Sequence, residues 1–128
     1  MRLLVDTHIG IWWLGDNPRL SDRARKLVQN GHNQLLWSLA SSWEIAVKVN
    51  IGKLELGRPI NRFFADLVRT QQMELLRIGH EHCIQYVSLP LEHKDPFDRM
   101  LVAQAQIENC PILTADPKLA LYDVETIF

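Results

Sequence analysis

The sequence predicts an α/β fold, a three-layer α/β/α sandwich with a central, mostly parallel sheet of four to five strands. Short apolar runs rich in Leu, Ile and Val alternate with longer segments whose apolar residues recur at helical spacing, the rhythm of a parallel sheet covered by helices. The stop signals NG at Asn30, IG at Ile51 and NCP at Asn109 each follow one of the periodic segments. A length of 128 residues suits one ordinary domain, able to bury roughly two thirds of its unfolded surface. With no internal repeat, low-complexity tract or linker, residues 1–128 are read as a single domain.

Taken in order, the apolar run Leu3–Val5 is the first strand, and Asp6 with Thr7 suits the cap of a helix over Ile9–Leu14. Trp12 and Trp13 are adjacent and cannot both face one core from that helix, so one of them is expected to be exposed or to meet a partner. A helix over Asp22–Gln29 closes at NG, and the run Gln34–Ser38 is the second strand. A helix over Ser42–Val49 closes at IG, with Ser41 and Glu44 in the spacing of a capping box. Next come a helix over Ile60–Gln71, a strand over Glu74–Ile78 and a helix over Glu81–Val87. Asp95 followed by Pro96 reads as an N-cap with proline at the first helical position, opening a helix over Phe97–Glu108. Strands at Pro111–Thr114 and Val124–Ile127 flank one helical turn over Pro117–Leu121, which Asp116 caps in the same way. Right-handed crossovers are expected between the parallel strands.

With 47% hydrophobic and 23% charged residues and a net charge of -1, the chain reads as a soluble globular protein rather than a disordered or collagen-like one. Near-neutral charge argues against a generally basic nucleic-acid binder, so contact with a polyanion falls to a local patch between Lys48 and Arg69. Asp6 and His8 interrupt the opening apolar run before signal-peptide length, and no stretch of about 18 apolar residues suits a membrane span. Cys83 and Cys110 lack the spacing of a disulfide framework or zinc site. A reducing cytoplasmic location follows, with both cysteines expected as small core residues.

Acids recur where an open parallel sheet binds ligands, at the carboxyl ends of its strands. LLVDTH ends its first strand with Asp6, SSWEIAVK places Glu44 after the second, HKDPFDRM opens a helix with Asp98, and ILTADP places Asp116 two residues past Thr114. Each acid alone has a local explanation as a helix cap or a first-turn charge. Capping needs only one acid per helix and does not require that all of them meet at one sheet edge. Clustered carboxylates repel, and a divalent cation removes that penalty. Mg2+ or Mn2+ suits an all-oxygen site better than zinc does. The chemistry implied is metal-assisted hydrolysis of a phosphodiester.

LLVDTH, SSWEIAVKVNIGKL, HKDPFDRMLVAQA and ILTADP, in this order, resemble the four acidic motifs of PIN-domain nucleases, and most closely those of VapC-type toxins of toxin-antitoxin pairs. The resemblance covers nearly the whole chain. It implies a PIN-like fold and a Mg2+- or Mn2+-dependent endoribonuclease, with an RNA substrate, a cognate antitoxin and a homodimer. Asp6, Glu44, Asp98 and Asp116 match the family's acids, Asp95 its extra capping aspartate, and Thr114 the polar position that supports the fourth acid. Beside this stand a non-catalytic α/β module binding RNA or protein, and a histidine-metal hydrolase prompted by His8, His80, His82 and His93. His80 and His82 differ by two positions and share no helix face, which argues against the latter. Lys48, four residues after Glu44, is expected to pair with it, and Arg99 to form a salt bridge or touch substrate.

Overall fold

A computed structural model describes residues 1–128, the side chain of Thr70 excepted. Five strands, β1 (Arg2–Val5), β2 (Gln34–Ser38), β3 (Glu74–Leu76), β4 (Ile112–Leu113) and β5 (Thr126–Ile127), form one sheet in the order β3-β2-β1-β4-β5. Every neighbouring pair is parallel, as the apolar runs predict. The helices are α1 (Thr7–Leu14), α2 (Asp22–Gln29), α3 (Leu39–Asn50), α4 (Ile60–Ala65), α5 (His80–Val87) and α6 (Pro96–Glu108). A 3-10 turn at Pro117–Leu121 precedes β5.

The pleat distributes each strand between two cores. Leu3, Val5, Leu35, Trp37 and Leu113 join Ile9, Ile45, Phe63 and Leu67 on one face. Leu4, Leu36 and Ile112 join Leu101, Val102, Ala105 and Leu119 on the other. Each such buried side chain contributes about 1.5–3 kcal/mol relative to exposure, so strands of two to five residues persist because both faces are covered.

One contact is especially tight. A Cβ at Gly10 would stand 2.3 Å from the Trp37 ring, which is 2% exposed, lies edge-on to Phe63, and donates from Nε1 to Ser42 Oγ. Burial, the Phe63 edge and the Ser42 bond hold the ring where it is. Gly10→Ala is expected to destabilise the fold by about 1–3 kcal/mol despite alanine's better helix propensity. The thermal midpoint should fall by roughly 4–12 °C. An unchanged midpoint would show that α1 can lift from β2 at little cost.

Several boundaries differ from expectation, among them the start of α1 at Thr7 and the shorter β4 and β5, and three of the differences have a plain cause. Helix α3 begins at Leu39 because Ser38, the last residue of β2, turns its Oγ to accept the Ala40 N–H at 2.9 Å. Strand β3 ends at Leu76 because its partner β2 ends opposite, at Ser38. The helix expected over Ile60–Gln71 is divided into α4 and a wider π turn at Asp66–Thr70, in which the Gln71 N–H reaches back to the Asp66 carbonyl.

The topology places the site. From central β1 the chain winds outward through β2 and β3, then returns to the other side of β1 for β4 and β5. The order of winding therefore reverses between β1 and β4, which opens a crevice at their carboxyl ends.

Candidate active site

Asp6 leaves β1 at that crevice as the N-cap of α1. It is 3% exposed, its Oδ1 accepting the Thr7 N–H at 2.7 Å and its Oδ2 accepting the Thr114 hydroxyl at 2.7 Å. The Thr114 oxygen in turn accepts the Asp116 N–H at 3.0 Å, so one threonine after β4 joins two acids. On the other flank, Thr7 Oγ1 lies 2.8 Å from both Glu44 Oε1 and Ser41 Oγ, and its single proton goes to the carboxylate. Glu44 is 2% exposed, and its second oxygen takes Lys48 Nζ at 2.5 Å.

Asp98 enters from α6. Asp95 caps that helix by accepting the Phe97 and Asp98 N–H groups at 2.8 and 3.1 Å. Asp98 Oδ2 lies 2.9 Å from His93 Nε2, and ligand atoms of His93, Asp98 and Asp116 all fall within 4.8 Å of one another. Asp116 caps the 3-10 turn through the Lys118 N–H. The structure thus brings Asp6, Glu44, Asp98 and Asp116 to one end of the sheet, the first two and Asp116 linked through Thr7 and Thr114, and Asp98 set beside Asp116 and His93.

Burial and mutual proximity show in the proton affinities of Asp6 and Asp98. Asp98 is pushed up to about 7, first by burial, against the His93 hydrogen bond, and then by the charges of Asp6, Asp95 and Glu44. Asp6 is also held above its ordinary value, chiefly by burial, with Glu44 adding to it and Thr114, His8 and Thr7 opposing. For Lys48, burial works against the ammonium, yet the hydrogen bond and charge of Glu44 and the fields of Asp95 and Asp98 hold its pKa above the usual value. Partly buried carboxylates that resist joint ionisation, on rigid element ends, are a donor set that fits a hard divalent cation.

The local capping explanations hold for Asp6, Asp95 and Asp116 but not for Glu44. Because α3 starts at Leu39, Ser41 and Glu44 lie inside the helix, and the expected capping box is absent. Lys48 pairs with Glu44 as expected. Arg99 does not form the expected salt bridge. It is 5% exposed, and its NH1 donates to the Pro90 carbonyl at 2.8 Å, to Tyr122 Oη at 3.0 Å and to the His93 carbonyl at 3.4 Å. The Tyr86 ring covers the guanidinium at 4.9 Å, so this cation is a structural staple between main chain and aromatic rings.

Both Trp12 and Trp13 are half-buried against the core, Trp12 beside His8 and Phe128 and Trp13 beneath Arg25. The exposed tryptophan is Trp43. Cys110 is buried as expected, whereas Cys83 is exposed. Of the histidines, His82 is buried and bonded to the Gly79 N–H and to Glu108, away from the acids. His93, set aside with the other histidines on sequence grounds, is the one that meets the cluster. Its place in HKDPFDR, five residues before Asp98, is the signal that marks it.

Residues 3–125 match the PIN domain family. The chain belongs to that family. This PIN domain is 27% identical to Ribonuclease VapC22 of Mycobacterium tuberculosis over 119 residues, covering 91% of this chain and 88% of that protein. It is 34% identical to Ribonuclease VapC16 of the same organism over 70 residues, covering 52% of this chain and 50% of that protein. The matched region thus spans about half the length of VapC16.

Solved structures share the PIN architecture. The complex VapBC2 from Rickettsia felis, bound to a DNA fragment from its promoter, contains a chain with a TM-score of 0.73 at 15% identity, covering 99% of this chain and 98% of that one. FitAcB from Neisseria gonorrhoeae gives 0.66 at 14% identity, covering 98% and 96%. At such identities the likeness concerns the fold. Among the described residues, no helix is long and apolar enough to cross a membrane.

Proposed function

We propose that this PIN domain, a single nuclease unit over residues 1–128, is a metal-dependent endoribonuclease and the toxin of a toxin-antitoxin pair. The observation that carries the reading is the convergence of Asp6, Glu44, Asp98 and Asp116 in the crevice between β1 and β4. Glu44 adds weight, because a buried carboxylate inside a helix has no capping task. Asp6 and Asp98 are the principal ligands for Mg2+ or Mn2+, and Glu44 and Asp116 complete the pocket directly or through water. When bound, the ion supplies charge neutralisation and activation of water at neutral pH.

The protein's own part is to hold this set rigid. Thr7 and Thr114 each fix one carboxylate oxygen by hydrogen bonding, of Glu44 and Asp6 respectively. Lys48 limits the negative charge on Glu44, so the pocket can admit a phosphate. In the hydrolysis, the water oxygen bonds to phosphorus as the P–O3′ bond breaks and a proton passes to O3′. The products are a 5′-phosphate and a 3′-hydroxyl.

The similarity to VapC ribonucleases supports RNA as substrate and an antitoxin protein as partner. The exposed apolar residues Trp43, Ile84, Val87 and Leu91 support protein contacts, in which the antitoxin and a second copy in a homodimer are the partners. The setting is the cytoplasm.

Incubating total cellular RNA with the purified protein and Mg2+, Mn2+ or chelator tests the reading. Discrete metal-dependent fragments are expected, reduced at least about 100-fold in Asp98→Asn. Absence of cleavage with every ion, together with no metal-dependent rise in thermal midpoint, would instead favour a non-catalytic module that binds RNA or protein.

A further inference from the structure

We infer that His93 is a nitrogen ligand of the bound cation, making the site a mixed nitrogen-oxygen one that selects Mn2+ over Mg2+. The inference rests on the metal-dependent reading of the acidic pocket and adds a residue outside the four acids. Its starting point is a spacing. His93 Nε2 and Asp98 Oδ2 are 2.9 Å apart, and an Asp116 oxygen lies within 4.8 Å of both. Adjacent ligands of an octahedral ion bound at about 2.1 Å are about 3.0 Å apart and opposite ones about 4.2 Å. The pair already has the separation of two adjacent ligands, and a small inward shift of Asp116 supplies a third.

The main chain that carries the imidazole is also held in place. The His93 backbone N–H donates to Tyr122 Oη at 2.9 Å, and the His93 carbonyl accepts from Arg99 NH1 at 3.4 Å. Arg99 simultaneously binds the Pro90 carbonyl and Tyr122 Oη, so a buried cation with no carboxylate partner among the described residues staples both ends of the segment carrying His93. Asp95 then fixes the start of α6 and with it Asp98. Histidine and carboxylate are therefore fixed relative to each other, since Arg99, which holds the His93 segment, belongs to the same helix as Asp98. Such anchoring holds a ligand pair at fixed spacing when the hydrogen bond between them gives way to an ion.

The chemical consequence is selectivity. Carboxylate oxygens alone suit Mg2+, whereas an imidazole nitrogen suits a first-row transition ion better than it suits Mg2+. A pocket with His93 in it should favour Mn2+ by more than an all-oxygen pocket does.

Pulsed electron paramagnetic resonance of Mn2+ bound to the wild-type protein tests this without any variant. Modulation from a directly coordinated 14N is expected, and it should disappear in His93→Ala. In parallel, titration of free Mn2+, with Mg2+ as competitor, should show Mn2+ affinity falling at least about tenfold in His93→Ala. Mg2+ affinity should fall by much less, and His93→Gln, which keeps a polar side chain without the imidazole, should not restore the preference. Bound Mn2+ with no nitrogen coupling, or an unchanged Mn2+/Mg2+ ratio in both variants, overturns the assignment of His93 and leaves the carboxylate site standing. Failure of the wild-type protein to bind Mn2+ at millimolar concentration overturns the metal-dependent reading itself.

Discussion

Replacing Asp6 with Asn is expected to lower metal-dependent RNA cleavage by about 10²–10³-fold while leaving the metal-free protein at least as stable as the wild type. The activity loss corresponds to the several kcal/mol that a correctly placed divalent cation supplies. Stability should move the other way because Asn caps a helix about as well as Asp does. Its amide oxygen can keep the Thr7 N–H, and its NH2 can face Thr114 Oγ1, whose hydroxyl is free to rotate. What disappears is the charge of a carboxylate already held above its ordinary pKa by burial, together with part of the repulsion on Asp98. Cleavage assays with added Mg2+, paired with thermal melts in chelator, separate the two effects. Cleavage retained within a few-fold of wild type would show that Asp6 is only a cap and sink its role as a ligand.

Much of this arrangement is legible in the sequence because its signals are local. Leu3–Val5 and Gln34–Ser38 read as strands because burial on both faces demands unbroken apolar runs. The limits of α6 are written in Asp95-Pro96 at one end and in Asn109, which takes the left-handed conformation, at the other. Asp6 and Asp116 could be placed at one sheet edge because each follows a strand, and Thr114 because it lies two residues before Asp116.

The start of α3 was not legible. Ser38 both ends a strand and caps a helix, while Ser41 and Glu44 carry the spacing of a cap they do not form. Arg99 was opaque for a different reason: its partners are backbone carbonyls and a tyrosine 23 residues away, which no periodicity encodes. His93 inherits that difficulty, since its approach to Asp98 depends on the Arg99 and Tyr122 staple. Local chemistry therefore located the acids, whereas HKDPFDR put His93 near Asp98 in sequence and the tertiary staple turned that nearness into contact.

The metal-free protein is expected to lose stability as pH rises from 5 to 8, and Asp98→Asn should remove the part of that slope that Asp98 carries. Asp98 has an ordinary pKa of 3.8 and rises to about 7 in the folded protein. Between these values the folded state keeps a proton that the unfolded chain has released, so raising the pH favours unfolding. The contribution is fully present below about pH 4 and is lost as pH passes through about 7. From pH 5 to 8 the wild type should therefore lose about 2–3 kcal/mol relative to Asp98→Asn, at about 1.36 kcal/mol per pKa unit. Urea unfolding of both proteins at the two pH values measures the difference, and parallel curves would refute the shift. The same proton links stability to function: a cation that needs Asp98 as a carboxylate must displace it. Calorimetric titration with Mg2+ at pH 6, in buffers of different ionisation enthalpy, should show close to one proton released per ion bound, falling toward zero at pH 8. On the proposed reading, loading the site would relieve the repulsion between Asp6 and Asp98, and the ion would favour the state in which both are ionised.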